Sequence, residues 1–138
     1  MKIVLDTNIL LQSLARKSKT RPIWDAFLNK HYTLIVTPSI LLEYEEIIAN
    51  RTSVEVSSNV VSLFYEAANV AFIHIYYEWK VITDDPDDNK FFDAAVAGNA
   101  DYLVTNDNHF KQAQKIDFPR VNIVNAEEFL GIIQNNNQ

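Results

Sequence analysis

A helix–strand unit bounded by aspartates, at residues 84–107, constrains this chain more than any other stretch. It opens with DDPDD, which predicts a turn because proline fixes φ and aspartate side chains bond to nearby backbone. The apolar spacing of 89–98 predicts a short helix, and the run DYLVT at 101–105 predicts a short buried strand. Asp88 shares a helical face with the apolar residues four and seven positions later, so packing of that face draws Asp88 toward the sheet.

Strand-like and helix-like segments alternate along the whole chain. Short apolar or β-branched runs predict strands at 2–5, 32–36, 71–76, 101–105 and 121–124. Helical spacing of apolar residues predicts helices at 9–15, from Pro22, from Pro38, at 53–70, at 89–98 and at 126–133. This alternation favours an α/β fold around a mainly parallel sheet.

No repeat, linker or domain boundary is visible in the sequence. We therefore expect residues 1–138 to form a single domain, with 134–138 as a frayed tail and 111–119 as a polar connection. The apolar start of the chain is short and is interrupted by Asp6, and no stretch reaches the roughly 20 apolar residues of a membrane span. These features favour a cytoplasmic protein without a membrane segment.

Composition excludes several classes of site. The chain has no cysteine, which rules out disulfides, thiolate zinc sites and cysteine nucleophiles. It has only two glycines, Gly98 and Gly131. Loops that cradle phosphate groups need clustered glycine, so ordinary dinucleotide-binding and P-loop sites are not expected.

The charged residues are unevenly distributed. The net charge of −6 argues against a broad nucleic-acid-binding surface. However, five of the eighteen acidic residues lie within 84–93, and a short basic run lies within 16–21. An acidic cluster with a separate basic patch suits a metal-dependent site that acts on a polyanion. A solvated acidic surface explains the same composition, and composition alone leaves both interpretations open.

Four carboxylates are placed to reach one edge of the predicted sheet. Asp6 follows the first strand, and Asp107 follows the DYLVT strand. Asp88 begins the helix that leads into the DYLVT strand, and Glu43 lies near the start of the helix after the second strand. Carboxylates this close repel one another and are tolerated when a divalent cation replaces their protons, for which oxygen ligands suit Mg²⁺ or Mn²⁺. A helix N-cap at Asp6 and a surface position for Glu43 are the alternatives.

Five motifs carry a resemblance to a known family. They are VLDTNILL at 4–11, SILLEYEEII at 39–48, DPDDNKFFDAA at 85–95, DYLVTND at 101–107 and VNAEEFL at 124–130. In this order and spacing the sequence resembles the PIN domain family, in its VapC-like branch of toxins from toxin–antitoxin pairs. The resemblance implies a three-layer α/β/α sandwich with a mainly parallel central sheet. It also implies an Mg²⁺- or Mn²⁺-dependent endoribonuclease that leaves 5′-phosphate and 3′-hydroxyl ends.

The resemblance gives roles to individual acidic residues and their supports. The implied catalytic and metal-binding acids are Asp6, Glu43, Asp88 and Asp107. Asn8, in the motif DTN, would support Asp6. Thr105, in the motif T-x-D, would orient the corner at Asp107 through its hydroxyl group. The turn before the fifth helix is crowded, which leaves Asp85 and Asp87 as alternatives to Asp88. Asp93 is expected to be secondary or merely solvated.

Basic residues and partners are assigned in the same way. The candidates for binding the RNA backbone are Arg16, Lys17, Lys19 and Lys90. The implied partners are an RNA substrate, an antitoxin protein and a second copy of the chain. His109 lies two residues past the fourth acid, Asp107. Contact with the substrate and a plain surface position are the two interpretations, and the surface position is favoured.

Two other functions compete with the nuclease. One is a protein-interaction module with a weak or inactive acidic site, held by a protein partner. The other is a phosphatase that acts on small phosphate esters, although Asp6-Thr7-Asn8 lacks the second acid of an aspartyl-nucleophile D-x-D motif. The aromatic group Tyr76, Tyr77 and Trp79 is able to stack on bases, but a core or subunit contact is the favoured interpretation.

Overall fold

A five-stranded sheet forms the centre of the protein, whose computed structural model describes residues 1–136. Its strands are β1 (Lys2–Leu5), β2 (Thr33–Val36), β3 (Val70–Phe72), β4 (Tyr102–Val104) and β5 (Ile123–Val124). All neighbouring strands run parallel, in the order β3-β2-β1-β4-β5. The α/β fold with a parallel sheet is therefore confirmed.

Seven α-helices connect or follow these strands within the described residues. They are α1 (Thr7–Leu14), α2 (Arg21–Leu28), α3 (Pro38–Arg51), α4 (Val54–Glu66), α5 (Asn89–Ala97), α6 (Lys111–Gln114) and α7 (Ala126–Asn136). Two 3-10 turns, Pro86–Asp88 and Asn108–Phe110, precede α5 and α6. Across residues 1–136, no helix combines the length and the apolar character needed to cross a membrane.

Prolines and hydroxyl side chains begin several of these helices. Pro22 and Pro38 lie in the first turns of α2 and α3, where a missing backbone N–H costs no helical hydrogen bond. The hydroxyl oxygens of Thr37 and Ser53 accept hydrogen bonds from backbone N–H groups three residues later, at 3.2 and 3.0 Å. These two caps fix the starts of α3 and α4.

Both faces of the sheet are buried. Ile3, Val4 and Leu5 of β1 are consecutive and at most 1% exposed. Successive residues of a strand point to opposite faces, so covering all three requires packed layers on both sides. Residues 34–36 of β2 are buried in the same way. The protein is therefore a three-layer α/β/α sandwich.

The direction of the strand order reverses between β1 and β4. From β1 the chain adds β2 and β3 on one side, and it then adds β4 and β5 on the other. At such a reversal the connections leave the sheet in opposite directions and open a crevice at the carboxyl ends of the strands. Asp6 directly follows β1 and Thr105 directly follows β4, so both lie at this crevice.

Several predicted element boundaries are wrong. The strand expected at 71–76 ends at Phe72, because its partner β2 ends at Val36, which pairs with Phe72. The connection expected at 111–119 contains α6. The tail expected from 134 is helical as far as Asn136, and residues 137–138 lie outside the described part of the chain.

Two of the three aromatic residues predicted to act together, Tyr76 and Tyr77, lie outside the core, and Trp79 packs against it. Tyr76 is 93% exposed and Tyr77 is 64% exposed. Trp79 is partly buried and packs edge-on between the rings of Tyr77 and Phe118, with centroids 4.6 and 6.0 Å away. A core position is therefore wrong for both tyrosines, and a subunit contact stays a prediction.

Candidate metal centre

The carboxyl ends of β1 and β4 bring two acidic residues to one hydroxyl group. Asp6 is 6% exposed, and its backbone N–H donates to the carbonyl oxygen of Val104 at 3.0 Å. The Thr105 hydroxyl donates to Asp6 Oδ2 at 2.8 Å. The hydroxyl oxygen of Thr105 also accepts from the backbone N–H of Asp107 at 3.0 Å. Thr105 therefore sets the position of both Asp6 and Asp107.

The turn before α5 presents a third acidic residue. Asp88 ends the 3-10 turn and is the N-cap residue of α5, with its side chain 13% exposed. The side chain of Asn89 fixes this turn, because it accepts from the backbone N–H of Ile82 at 2.8 Å and donates to the carbonyl oxygens of Ile82 and Pro86 at 2.9 and 3.1 Å. Asp87 is exposed, so the turn directs Asp88 inward and Asp87 outward.

His109 closes this group of acids. Its Nδ1 atom lies 3.2 Å from Asp107 Oδ1, 3.4 Å from Asp88 Oδ2 and 3.9 Å from Asp85 Oδ2. Its backbone N–H donates to Asp107 Oδ1 at 2.9 Å, so the 3-10 turn after β4 holds the ring in place. Ligand atoms of Asp85, Asp88 and His109 all lie within 4.8 Å of one another. This spacing fits a metal ion with oxygen ligands and one nitrogen ligand.

Two atoms of this group lack the partners that buried polar atoms normally have. Within residues 1–136, the buried atoms Asp88 Oδ2 and His109 Nδ1 lie 3.4 Å apart, but neither makes a hydrogen bond of acceptable geometry. An unpartnered buried polar atom is costly, so such atoms indicate a missing partner. A cation between them would satisfy both atoms.

Glu43 is held by a different set of contacts. Lys90 Nζ lies 2.6 Å from Glu43 Oε1, and the Thr7 hydroxyl donates to Glu43 Oε2. The next residue, Tyr44, is fully buried and donates its hydroxyl to the carbonyl oxygen of Leu5. That contact ties α3 to the end of β1, directly before Asp6.

Two acids of the centre, Asp6 and Asp88, have raised pKa values. Burial is the main cause of the rise in the pKa of Asp6 to about 6, assisted by the charges of Asp107 and Glu43 and opposed by the Thr105 hydrogen bond. Burial is also the main cause for Asp88, whose pKa rises to about 7; the charges of Asp85, Asp107 and Asp6 add to the rise, and the contact with the His109 ring opposes it. In both cases the charged carboxylate is disfavoured, chiefly because burial removes water from it and secondarily because other carboxylates lie nearby.

The same charges act on His109 in the opposite sense. Partial desolvation lowers the pKa of His109, but the carboxylates of Asp107, Asp88 and Asp85 raise it, and the net shift is upward. The ring therefore responds to the same surplus of negative charge as the acids around it.

The sequence-predicted residues fall into separate groups. Asp6, Asp88 and Asp107 come together, and Glu43 joins them through Thr7, the neighbour of Asp6. Asn8 is exposed in the first turn of α1. The basic residues Arg16, Lys17 and Lys19 are exposed between α1 and α2, whereas Lys90 lies within the centre.

Asp93 differs from its expectation. It is 4% exposed, and its Oδ1 atom accepts from the backbone N–H of Trp79 at 3.1 Å. Burial raises its pKa. The prediction of a solvated side chain is wrong, because Asp93 fastens the segment after β3 to α5.

Sequence reasoning missed the contact of Thr7 and gave too little weight to His109 and Asp85. Thr7 is 4% exposed and adjoins the first acid, which is the one signal that marks it. His109 follows Asp107 by two residues, and this nearness to an acid is a signal in the sequence for a further ligand. The sequence presents Asp85 as an alternative to Asp88, whereas the structure brings both side chains to His109.

Comparisons with known proteins agree with this architecture. A PIN domain family model matches residues 2–109. The Rickettsia felis structure of VapBC2 bound to a promoter DNA fragment is 20% identical with a TM-score of 0.62, and the match covers 91% of this chain and 98% of that chain. Mycobacterium tuberculosis VapC20, a sarcin–ricin loop cleaving toxin, is 14% identical with a TM-score of 0.61, and the match covers 83% of this chain and 97% of that chain. A comparison with curated proteins found no match. Because the family model spans most of its length, the chain belongs to the PIN domain family.

Proposed function

We propose that this protein is a metal-dependent endoribonuclease that uses Mg²⁺ or Mn²⁺ at the crevice between β1 and β4. The observation that carries the proposal is the pair of buried unpartnered ligand atoms, Asp88 Oδ2 and His109 Nδ1, among acids with raised pKa values. Asp6, Asp88 and Asp107 are the residues that would hold the ion, with His109 beside them. Carboxylate oxygens suit Mg²⁺ or Mn²⁺, and an imidazole nitrogen is more favourable to Mn²⁺.

The bound ion would supply charge neutralisation, and the residues around it would hold the carboxylates in position for hydrolysis. A bound divalent ion neutralises charge on the phosphate and lowers the pKa of water. Thr105 holds the carboxylate of Asp6 in one orientation and ties it to Asp107 through a shared oxygen atom. Attack by water adds an oxygen to phosphorus and breaks the P–O3′ bond, and the leaving oxygen takes up a proton. The products therefore carry 5′-phosphate and 3′-hydroxyl ends.

A groove beside the centre is suited to the substrate backbone. Among the residues that line it are Ser39, Lys80, Asp87 and Lys90. Lysine ammonium groups bind phosphate oxygens, and Lys90 is already paired with Glu43. Lys80 is therefore the lysine of this groove that would contact a polyanionic substrate, between the acids Glu78, Asp87 and Asp93. The similar Mycobacterium tuberculosis toxin cleaves an RNA loop, which supports RNA as the substrate class.

We also propose that the protein is the toxin of a toxin–antitoxin pair. The similar Rickettsia felis structure contains VapBC2 with promoter DNA, which supports an antitoxin partner. Copurification of the native protein from its own cells, followed by mass spectrometry, tests this part. Recovery of the chain without a small second protein at comparable abundance contradicts it.

The nuclease is tested by incubating labelled RNA with the purified protein and with Mg²⁺, Mn²⁺ or a chelator. We expect cleavage only with a divalent ion, and loss of cleavage in Asp6→Asn. The matched control is Asp117→Asn, which removes the same charge at an exposed position between α6 and β5. It should cleave as the wild type does.

The ends of the fragments test the chemistry separately. Fragments that a 5′-phosphate-dependent exonuclease degrades agree with attack by water. A 2′,3′-cyclic phosphate contradicts it, because that product requires attack by the substrate's own 2′-hydroxyl. A well-folded wild type that cleaves no RNA with either ion refutes the nuclease and favours the protein-interaction module.

A further inference from the structure

We infer that the ammonium group of Lys90 takes the place of a second cation beside Glu43, so that the chain binds a single divalent ion on the side of Asp6, Asp88 and Asp107. This inference rests on the proposed metal-dependent function and deepens it. It makes Lys90 and Glu43 positioning residues and removes Glu43 from the set of metal ligands.

Both carboxylate oxygens of Glu43 already have partners. Oε1 lies 2.6 Å from Lys90 Nζ, and Oε2 accepts from the Thr7 hydroxyl. The two side chains of the ion pair are only 20% and 27% exposed, so water screens this pair less than a surface pair. A divalent ion at Glu43 would have to displace a lysine that is held in place on one side by the ring of Phe91, whose centroid is 5.7 Å from Nζ.

The position of Lys90 in its helix is unfavourable in other respects. It is the second residue of α5, which begins at Asn89. The first turn of a helix carries the positive end of the helix dipole and disfavours a cation. The stability of the helix therefore does not explain a lysine at this position, whereas the ion pair of Lys90 with Glu43 explains it.

The part of the centre around Asp88 and His109 differs from Glu43, because its ligand atoms lack partners. Asp88 Oδ2 and His109 Nδ1 are buried without hydrogen-bond partners in the described chain. No lysine or arginine ion pair of residues 1–136 reaches Asp6, Asp88 or Asp107. The protein itself supplies the cation at Glu43, and it leaves a place for a metal ion beside Asp88 and His109.

The test is Mn²⁺ binding, measured by isothermal titration calorimetry and by the electron paramagnetic resonance signal of free Mn²⁺. We expect the wild type to bind one ion per chain. Lys90→Met leaves Glu43 without its cation and should bind two. Lys90→Arg keeps the charge and should bind one, as should the control Lys115→Met, which removes a lysine charge from an exposed position.

A charge-balanced double variant separates positioning from ligation. Lys90→Met combined with Glu43→Gln removes the ion pair without changing net charge, and it should bind one Mn²⁺ with an affinity within about threefold of the wild type. Asp88→Asn should weaken binding by more than about tenfold, since even outer partners of a metal site are worth that much. Circular dichroism establishes that each variant is folded, and Lys90→Gln replaces Lys90→Met if the latter unfolds.

Each contrary outcome has a distinct meaning. Two ions in the wild type, or one ion of unchanged affinity in Lys90→Met, overturns the role of Lys90. Loss of affinity in the double variant as large as in Asp88→Asn makes Glu43 a ligand and also overturns it. Cleavage of RNA by the wild type is measured separately, and if it requires a divalent ion, the nuclease proposal stands in both cases. A wild type that binds no divalent ion overturns both.

Discussion

The hydroxyl group of Thr105 holds two acids of the centre in position. Its oxygen donates to Asp6 Oδ2 and accepts from the backbone N–H of Asp107, and the residue is only 4% exposed. Valine has nearly the same shape as threonine, but its side chain can neither donate nor accept a hydrogen bond. We expect Thr105→Val to cost about 1–3 kcal/mol in the free energy of unfolding, because buried polar groups lose their partner. Urea unfolding of the metal-free protein measures the change.

The conservative variant Thr105→Ser serves as the control for this substitution. Serine keeps the hydroxyl and should retain most of the stability and the Mn²⁺ affinity, whereas valine should weaken both. Equal losses in the two variants would assign the effect to the threonine methyl group and its packing. The role of the hydroxyl would then be refuted.

The aspartates of the centre also make stability depend on pH. Burial raises the pKa of Asp6 to about 6 and that of Asp88 to about 7, from the ordinary value of 3.8. Folding therefore favours the protonated forms. Their contribution to stability is fully present below pH about 4 and is lost as pH rises through 6 and 7. We expect the metal-free protein to unfold at lower urea concentration at pH 8 than at pH 5.

The variant Asp6→Asn isolates one of these contributions. A pKa difference of one unit corresponds to about 1.4 kcal/mol, so removal of the Asp6 charge should stabilise the metal-free protein by on the order of 2 kcal/mol at pH 8. It should have little effect at pH 4. Asp117→Asn should leave the pH dependence unchanged. An Asp6→Asn profile parallel to the wild type would show that Asp6 is ionised without penalty.

Residue roles differ in how far the sequence predicts them. The aspartates after β1 and β4 were placed correctly at the sheet edge, because the ends of parallel strands share an edge whatever the side chains do. The Lys90–Glu43 pair and the contact of His109 with three carboxylates were not predictable. They depend on the rotamers of long side chains and on the exact path of two 3-10 turns, which no spacing in the sequence encodes.

At the level of elements, Gly98 controls how closely α5 approaches the sheet. Gly98 ends α5, and a Cβ atom there would lie 2.7 Å from Ile35 Cδ1 and 3.0 Å from Ile35 Cγ2 in β2. Ile35 is fully buried, so it has little room to move. We expect Gly98→Ala to destabilise the protein by about 1–3 kcal/mol through overpacking. Thermal unfolding of the variant measures this cost.

Gly131 provides the matched comparison. It lies within α7, and a Cβ atom there would meet nothing within 4 Å. Alanine is preferred over glycine inside a helix by about 1 kcal/mol, so Gly131→Ala should raise the melting temperature. The two glycine-to-alanine changes should therefore have opposite signs. Stabilisation by Gly98→Ala would mean that α5 shifts freely on the sheet.

Predicted and observed elements agree where the sequence pattern of a segment is enough to determine its structure. They differ where pairing with a neighbouring strand determines how long the element is. The buried strands β1 and β2 are visible as apolar runs because both of their faces are covered. The strand at 71–76 was predicted too long because its residues favour strand, yet β2 offers pairing only as far as Val36. Likewise α6 has only four residues and no apolar periodicity long enough to reveal it.

For the whole molecule, the distribution of charge matters more than its sum. The net charge is −6, yet the proposed substrate is a polyanion. The basic residues Arg16, Lys17 and Lys19 are exposed together between α1 and α2 and remain the predicted backbone contacts. Lys90 is different, because its ammonium already lies against Glu43. Its removal should change metal binding more than RNA affinity.

The salt dependence of RNA binding tests this division, using Asp6→Asn protein so that the RNA stays intact. Binding of single-stranded RNA loses about 0.7 in the slope of log K against log salt for each phosphate contact removed. Replacing Arg16, Lys17 and Lys19 by glutamine should therefore reduce the slope by about 2. The control replaces Lys2, Lys30 and Arg120 by glutamine, which removes equal charge at exposed positions in β1 or before β2 and β5. If both triple variants lower the slope equally, RNA responds to net charge alone and the segment between α1 and α2 is no specific contact.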